Sequence, residues 1–433
     1  MRGLNYRGFL AAAAGLVLVL GVAACGGDDD DDGGGGQATL DLTIGDSIPL
    51  TGDLAPFGPP GQKASDLAVA QINDAIQQAG VDHTVEVVHE DNETSPQPAV
   101  QAARKMVDAD GATCITGAWA SSDTIPTAES VSIPDEILQI SPASTAPAIS
   151  DIDDDGLLNR TAPPDTFQAA TLAGAINESL GAQGGTVNVG ARNDEYGTAF
   201  AENFRKEWEN LGGTIGAEVI YDPEQPSYNS EAQEITSGNP DAFVIIDFPD
   251  TFAKVGPALQ RTGNWDPTKA WGTDGLASSS LPEDVAPQII EGMRGTAPGA
   301  PEKGEAEQAF RTLYDSSDPR DVEAQTFDAQ NFDATILCYL AAVAAGSTDG
   351  KEMADALQPI TAPPGTQYTW EQLPQMIEAL QNGDDIDYEG ASGSVNLNAN
   401  GDATSEVYDT YTYKGGEFVV TEDLPIVPPV GGE

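Results

Sequence analysis

The chain has 433 residues, with 70 Asp and Glu against 18 Lys and Arg, a formal net charge of −52. That excess of carboxylates excludes nucleic acid and anionic lipid headgroups as electrostatic partners, and by itself it implies little more than high solubility. The length exceeds what one hydrophobic core usually serves, so two domains or lobes are expected.

The N-terminus reads as a processing signal. Arg2 and Arg7 precede an apolar run from Phe9 to Ala24, and Val22-Ala23-Ala24 leads into Cys25. An apolar residue, two small residues and a cysteine form the lipobox pattern of bacterial lipoproteins. The expectation is a signal peptide over 1–24 and a lipid-carrying, membrane-anchoring Cys25. Gly26-Gly27, Asp28 to Asp32 and Gly33 to Gly36 follow. Such a run buries nothing, so residues 25–39 are expected to be a solvated tether. No later segment is long and apolar enough to span a membrane.

Strand and helix patterns then alternate. Leu42 to Pro49 reads as a strand, and Gly61 to Gln78 as a helix with Leu67, Ala68, Ile72 and Ile76 on one face. Val85 to Val88 reads as a strand. Ser95-Pro96 opens a further helix, with Ser as the cap and Pro at its first position. Strands follow at Ala112 to Thr116 and Ile137 to Ser141. After Arg160 to Pro164 the pattern restarts, with strands at Thr186 to Ala191, Thr214 to Tyr221, Ala242 to Asp247 and Ala270 to Gly272. Helices are expected between them at Tyr196 to Leu211, Ser230 to Ser237 and Phe252 to Arg261. The later part is helical over 302–316, 328–345, 351–357 and 370–381, and strands at 407–413 and 418–421 close the chain. Alternation of this kind predicts parallel sheets covered by helices on both faces.

Beyond Cys25, the cysteines are Cys114, in a strand pattern, and Cys338, in an apolar helix. A disulfide and two inert buried thiols are both open readings, because spacing alone cannot supply the Cα separation. His83 and His89 flank the Val85 strand and read as solvated edge residues. With neither beside a cysteine, no metal site is expected, and no cofactor. Asp151 to Gly156 copies the start of a calcium loop, but its twelfth position is Ala162 in place of the bidentate Glu. Asn396 to Asp402 reads as a hairpin turn.

In open α/β sheets, ligands bind beyond the carboxyl ends of strands. Four loops there carry suitable chemistry: Gly117 to Thr124, Pro142 to Pro147, Asn193 to Gly197 and Gly272 to Gly275. Small hydroxyl residues beside free backbone N–H groups suit a carboxylate, and a lone Asp suits an ammonium. With Ile44 to Gly52, Phe57-Gly58, Glu90-Asp91-Asn92, Ser121-Ser122, Pro142 to Pro147, Tyr196-Gly197 and Gly272 to Gly275 in order, the chain resembles the leucine/isoleucine/valine-binding proteins. These are type I periplasmic binding proteins that serve ABC transporters, and the resemblance covers residues 40 to 425.

The resemblance implies an α/β, two-lobed fold with parallel sheets flanked by helices and a hinge crossed several times. Lobe 1 would span 40–162 and 298–390, lobe 2 would span 163–297 and 391–425, and 426–433 would be a tail. It implies that Ser121, Ser122 and Thr145, with N–H groups around Ala143 and Ser144, hold an α-carboxylate. Asp274 would pair with the α-ammonium, Tyr196 would close from the second lobe, and Phe57 and Trp119 would line the side-chain compartment. The chain departs from the family where an aromatic is usual at Pro249, the nearest here being Phe248, and where Trp119 replaces a smaller residue. The expected function is a non-enzymatic, monomeric, extracytoplasmic lipoprotein that captures an amino acid for ABC permease subunits. The alternatives are a ligand sensor or structural two-lobe protein, or a receptor for another small carboxylate or amide.

Overall fold

Continuous apolar runs become the central strands, because a strand covered on both faces buries every side chain. The computed structural model describes residues 39–299, 304–317, 322–404, 407–425 and 429. The expected signal segment, the lipidation site Cys25, the tether over 25–38 and most of the 426–433 tail lie outside them.

The first sheet contains β1 (Leu40–Ile48), β2 (His83–Asp91), β3 (Cys114–Thr116), β4 (Leu138–Ser141) and β5 (Leu158–Arg160). Their spatial order is β2-β1-β3-β4-β5, with every pairing parallel. The second contains β6 (Thr186–Arg192), β7 (Thr214–Tyr221), β8 (Ala242–Ile246), β9 (Ala270–Gly272) and β10 (Arg294–Pro298). A short parallel pair, β11 (Thr366–Thr369) and β12 (Ile386–Glu389), stands apart, and β13 (Val407–Lys414) and β14 (Glu417–Pro425) extend the second sheet. That sheet runs β14-β13-β10-β9-β8-β6-β7, with β13 antiparallel to both β10 and β14. The fold is therefore α/β with two lobes, as expected.

Helix boundaries follow local chemistry. The helix Gly58–Ala79 ends at Gly80, whose φ of 69° places its N–H on the Ile76 carbonyl. Asp194 caps the helix Glu195–Asn210 by accepting from the Gly197 N–H at 2.9 Å. Ser95 stands at the cap of the helix Pro96–Asp108 with extended backbone, but its side chain makes no capping bond, contrary to expectation. The segment expected as one helix from Trp370 is a 3-10 turn over Trp370–Gln372, entered through a Thr369/Gln372 capping box, and then the helix Leu373–Gln381.

Asp328–Ala345 is buried along nearly its whole length and packs in the first lobe's core with Leu42, Ile44, Leu138 and Ile140. Cys338 on that helix is bonded to Cys114 of β3, with Cα atoms 5.9 Å apart. The bridge fastens a late helix to an early strand across 224 residues.

Two expectations need correction. Residues 391–404, expected with the second lobe, begin within the first lobe's core through Ala391, Val395 and Leu397. These apolar side chains meet the Asp328–Ala345 helix side of the fold, and Asp402 pairs with the buried Arg160 at the end of β5. The chain joins the second sheet only at β13. The histidines stand on the edge strand β2 as expected, but they are half-buried and bonded and not simply solvated. His83 Nδ1 meets the Tyr339 hydroxyl at 2.8 Å, while His89 bridges Asp46 at 2.8 Å and Asp66 at 3.1 Å. Burial opposes protonation of His89, but the two carboxylates outweigh it and raise its pKa to about 10. The Asn396 to Asp402 segment turns back as expected, with Leu397 bridged to Ala403 and Gly401 at φ 73°.

Candidate ligand-binding site

The strands β3 and β4 of the first lobe, and β6 and β9 of the second, end at a common cavity with about 20 Å³ of free space. Its polar lining comes from both lobes: Ser121 and Thr145 from the first, Tyr196 and Asp274 from the second. Its apolar lining is Leu54, Phe57, Trp119, Phe248 and Phe327, with Ala120, Ala143 and Gly275 filling between them.

The first-lobe wall depends on a tight turn. Gly117 has φ 115°, and a Cβ there would stand 2.4 Å from the Ser47 carbonyl oxygen, so only glycine fits. The turn brings Trp119 beneath Phe57 and Phe327, at centroid separations of 6.5 and 6.4 Å. Ser141 and Thr124 donate to the Ala118 carbonyl at 2.6 and 3.0 Å, and Ser144 donates to the Trp119 carbonyl at 3.0 Å. Ser144 therefore braces the loop, and its N–H is already given to Ser141 Oγ at 3.1 Å. Ser122 is half-buried beside Asp123, outside the lining. Ser144 thus supports residues that reach the cavity in place of the expected ligand contact, and Ser122 faces Asp123 away from it.

Ser121 begins the helix Ser121–Thr127, and its Oγ accepts from the Ala146 N–H at 3.1 Å, leaving its own hydrogen free to donate. The Thr145 hydroxyl is buried and faces the Asp165 carboxyl.

On the second lobe, the Tyr196 hydroxyl lies 2.6 Å from Thr273 Oγ1 and 2.8 Å from Asp274 Oδ1. With one hydrogen to give, it donates to the carboxylate and accepts from Thr273. Its ring stacks on Phe248 at 5.4 Å, which holds the hydroxyl at Asp274. Gly275 lets the Asp274 turn approach β8, because a Cβ there would stand 2.6 Å from the Asp247 carbonyl oxygen. Burial pushes the Asp274 carboxyl above its ordinary pKa, with the Tyr196 hydrogen bond opposing. Burial raises Asp165 strongly as well, and Asp274 adds to the effect while Thr145 opposes it. No Lys or Arg lines the cavity among the described residues. The second-lobe end therefore offers a carboxylate with no cation beside it, and the first-lobe end offers the Ser121 hydroxyl donor. A small molecule with an ammonium and a carboxylate complements both.

Asp165, Leu54 and Phe327 were not legible as site residues in the sequence. Asp165 opens the helix Asp165–Ser179, whose small residues give no amphipathic signal. Phe327 has φ 75°, a left-handed backbone that a bulky residue rarely adopts and that no sequence pattern announces.

A model of the periplasmic binding protein family matches residues 41–378. A substrate-binding protein of a chemotactic signal transduction system from Halobacterium salinarum is 26% identical over 365 residues, covering 83% of this chain and 84% of its own. A Leu/Ile/Val-binding protein of Rhizobium johnstonii is 25% identical over 394 residues, covering 89% and 95%. Among solved structures, the leucine-binding protein LivK of Thermotoga maritima superposes with a TM-score of 0.72 at 21% identity, covering 89% of this chain and 99% of its own. A solute-binding protein of an R. palustris ABC transporter, in complex with benzoate, gives a TM-score of 0.69 at 17% identity, covering 89% and 97%. The matched span takes in both lobes and all four loops that meet at the cavity, so the chain belongs to the periplasmic binding protein family, with the type I fold of its leucine-binding members.

Proposed function

We propose that the chain is an extracytoplasmic lipoprotein that captures an amino acid by closing its two lobes and delivers it to ABC permease subunits. The carrying observation is the split polarity of one cavity, with the Ser121 and Thr145 hydroxyls on one lobe and Tyr196–Asp274 on the other. The α-carboxylate would take the two hydroxyls and the α-ammonium would take Asp274, so the ligand completes a contact that neither lobe makes alone. A ligand shifts the open–closed equilibrium only through its difference in affinity for the two forms, and contacts to both lobes supply that difference. Phe57, Trp119, Phe248 and Phe327 enclose an apolar side chain.

A second reading has an observation of its own. The Halobacterium relative is named for chemotactic signalling, so the closed form could be presented to a signal transducer in place of a permease. The ligand class also has a rival, the aromatic carboxylate bound by the R. palustris neighbour. Such an acid lacks the cation that Asp274 calls for.

A thermal-shift screen of residues 37–433 against the amino acids, short amides and aromatic carboxylates tests the reading. Ligand at 100 times its Kd adds about 2.7 kcal/mol of stability, a visible shift. Hits among amino acids support it. Hits confined to acids lacking an amine would sink the role of Asp274, and no hit at all would favour a structural protein.

A further inference from the structure

We propose that Asp53 and Arg192 form a latch across the mouth of the cleft, which favours the closed form whatever ligand is inside. The inference rests on the lobe-closure reading. Asp53 follows β1 in the first lobe, and Arg192 ends β6 in the second. Arg192 Nη2 lies 3.0 Å from Asp53 Oδ2, and the same oxygen accepts from Thr251 Oγ1 at 2.9 Å. Thr251 sits in the first turn of the second-lobe helix Pro249–Arg261, and the Asp250 N–H of that turn points to the Asp53 carbonyl at 3.5 Å. A helix start presents unpaired N–H groups and a partial positive charge, so an acidic residue from the opposite lobe docks there favourably.

Each half is fixed before they meet. The Asp53 loop is tied to its own lobe, because the Thr51 N–H and hydroxyl both donate to Asp91, at 3.1 and 2.7 Å, and the Leu54 N–H donates to Thr94 at 3.1 Å. The Arg192 guanidinium lies over the Phe248 ring at 3.7 Å, bonds to Asp194, and stands 3.7 Å from Asp247. Little side-chain freedom remains to be lost when the lobes close. The Asp53 carboxylate bonds Arg192 and Thr251, both across the cleft.

The latch also touches the cavity wall without entering it. Leu54, the next residue after Asp53, and Phe248, beneath Arg192, both line the cavity, while Asp53 and Arg192 do not. Its loss should therefore weaken all ligands by a common factor. The Asp53 side chain is 23% exposed and that of Arg192 is 5% exposed, so the pair lies between a screened surface bridge and a fully buried one.

The test compares the parent chain, Asp53→Asn, Asp53→Lys and Thr251→Val. Small-angle scattering of the ligand-free proteins should show the radius of gyration rising from parent to Asp53→Asn and further in Asp53→Lys. Thr251→Val should give a smaller rise and separates loss of the latch from any defect in the Asp53 loop. With L-leucine, L-isoleucine and L-valine as probes, stopped flow should show dissociation faster by roughly 5- to 30-fold in Asp53→Asn, equal across the three, with association changed far less. An unchanged radius of gyration in all three variants overturns the latch. So does a loss of affinity that differs between ligands. If none of the three probes binds, a branched-chain ligand is excluded while the scattering still decides the latch.

Discussion

Replacing Asp274 by Asn isolates the charge from the shape. Asp274 is 3% exposed, and its Oδ1 accepts the Tyr196 hydrogen bond at 2.8 Å, a bond that the Asn carbonyl can keep. What disappears is the negative charge facing the proposed ammonium. Removing one partner of a buried charge pair costs about 3–5 kcal/mol, and the retained neutral acceptor returns part of it. A loss of about 2–4 kcal/mol follows, or roughly 30- to 1,000-fold in Kd. Stability of the free chain should move the other way. Burial raises the Asp274 pKa, so the folded chain binds its proton more tightly than the unfolded chain does. The resulting penalty is absent below the unfolded carboxyl pKa and accumulates as pH rises above it. The ligand-free variant should therefore melt at or above the parent at pH 7, and the difference should vanish near pH 3. Calorimetry with the amino acid that gives the largest thermal shift measures the first arm, and scanning calorimetry at the two pH values measures the second. Parent-like affinity would remove Asp274 from the ammonium site. A variant less stable at pH 7 would mark Asp274 as an anchor for Tyr196, and the binding loss would then be indirect.

Ser121→Ala should weaken amino-acid binding by about 1–2 kcal/mol, the loss of one charge-assisted bond among several, and should spare the primary amide analogue. Equal losses for acid and amide in titration calorimetry would show that the hydroxyl does not face the carboxylate. Asp123, buried beside Ser122 and close to Asp194 of the second lobe, has its pKa raised to about 8, chiefly by burial. Its penalty on folding is absent near pH 3 and grows as pH rises towards 8, so Asp123→Asn should raise Tm most at pH 8.5 and little at pH 3. A difference independent of pH would refute that assignment. Replacing both Cys114 and Cys338 by Ser opens a link spanning 224 residues and should cost about 2–5 kcal/mol in urea unfolding. An unchanged midpoint would show that the packing of the Asp328–Ala345 helix suffices without the bridge.

Local chemistry made much of the architecture readable in advance. The run Ala242 to Ile246 is buried at every position, as a central parallel strand must be, and its neighbours in sequence alternate with helices. Asp194, Gly80 and the Gly117 turn mark element ends because a cap or a left-handed backbone restricts which residue can stand there. The loops carrying Ser121, Thr145, Tyr196 and Asp274 were legible for the same reason, since strand ends in such sheets point at a common crevice.

The sequence could not divide labour within those loops. Ser121, Ser122 and Ser144 are the same residue type, and only packing separates a donor into the cavity from a brace behind it. Short strands such as Leu158–Arg160 carry too few residues to show a period, and the Ala-rich helix at Asp165 has no polar face to announce it. Contacts between distant segments were the least accessible. Cys114 with Cys338, Arg160 with Asp402, Asp53 with Arg192 and the neighbourhood of Asp165 and Asp274 each join parts of the chain that no local pattern relates. Sequence by itself determined strands, helices and the chemistry available at their ends, because these depend on neighbours within a few residues. Tertiary structure alone decided which ends meet, which carboxylates lose water and which hydroxyls face the cavity, because desolvation and pairing depend on distance in space.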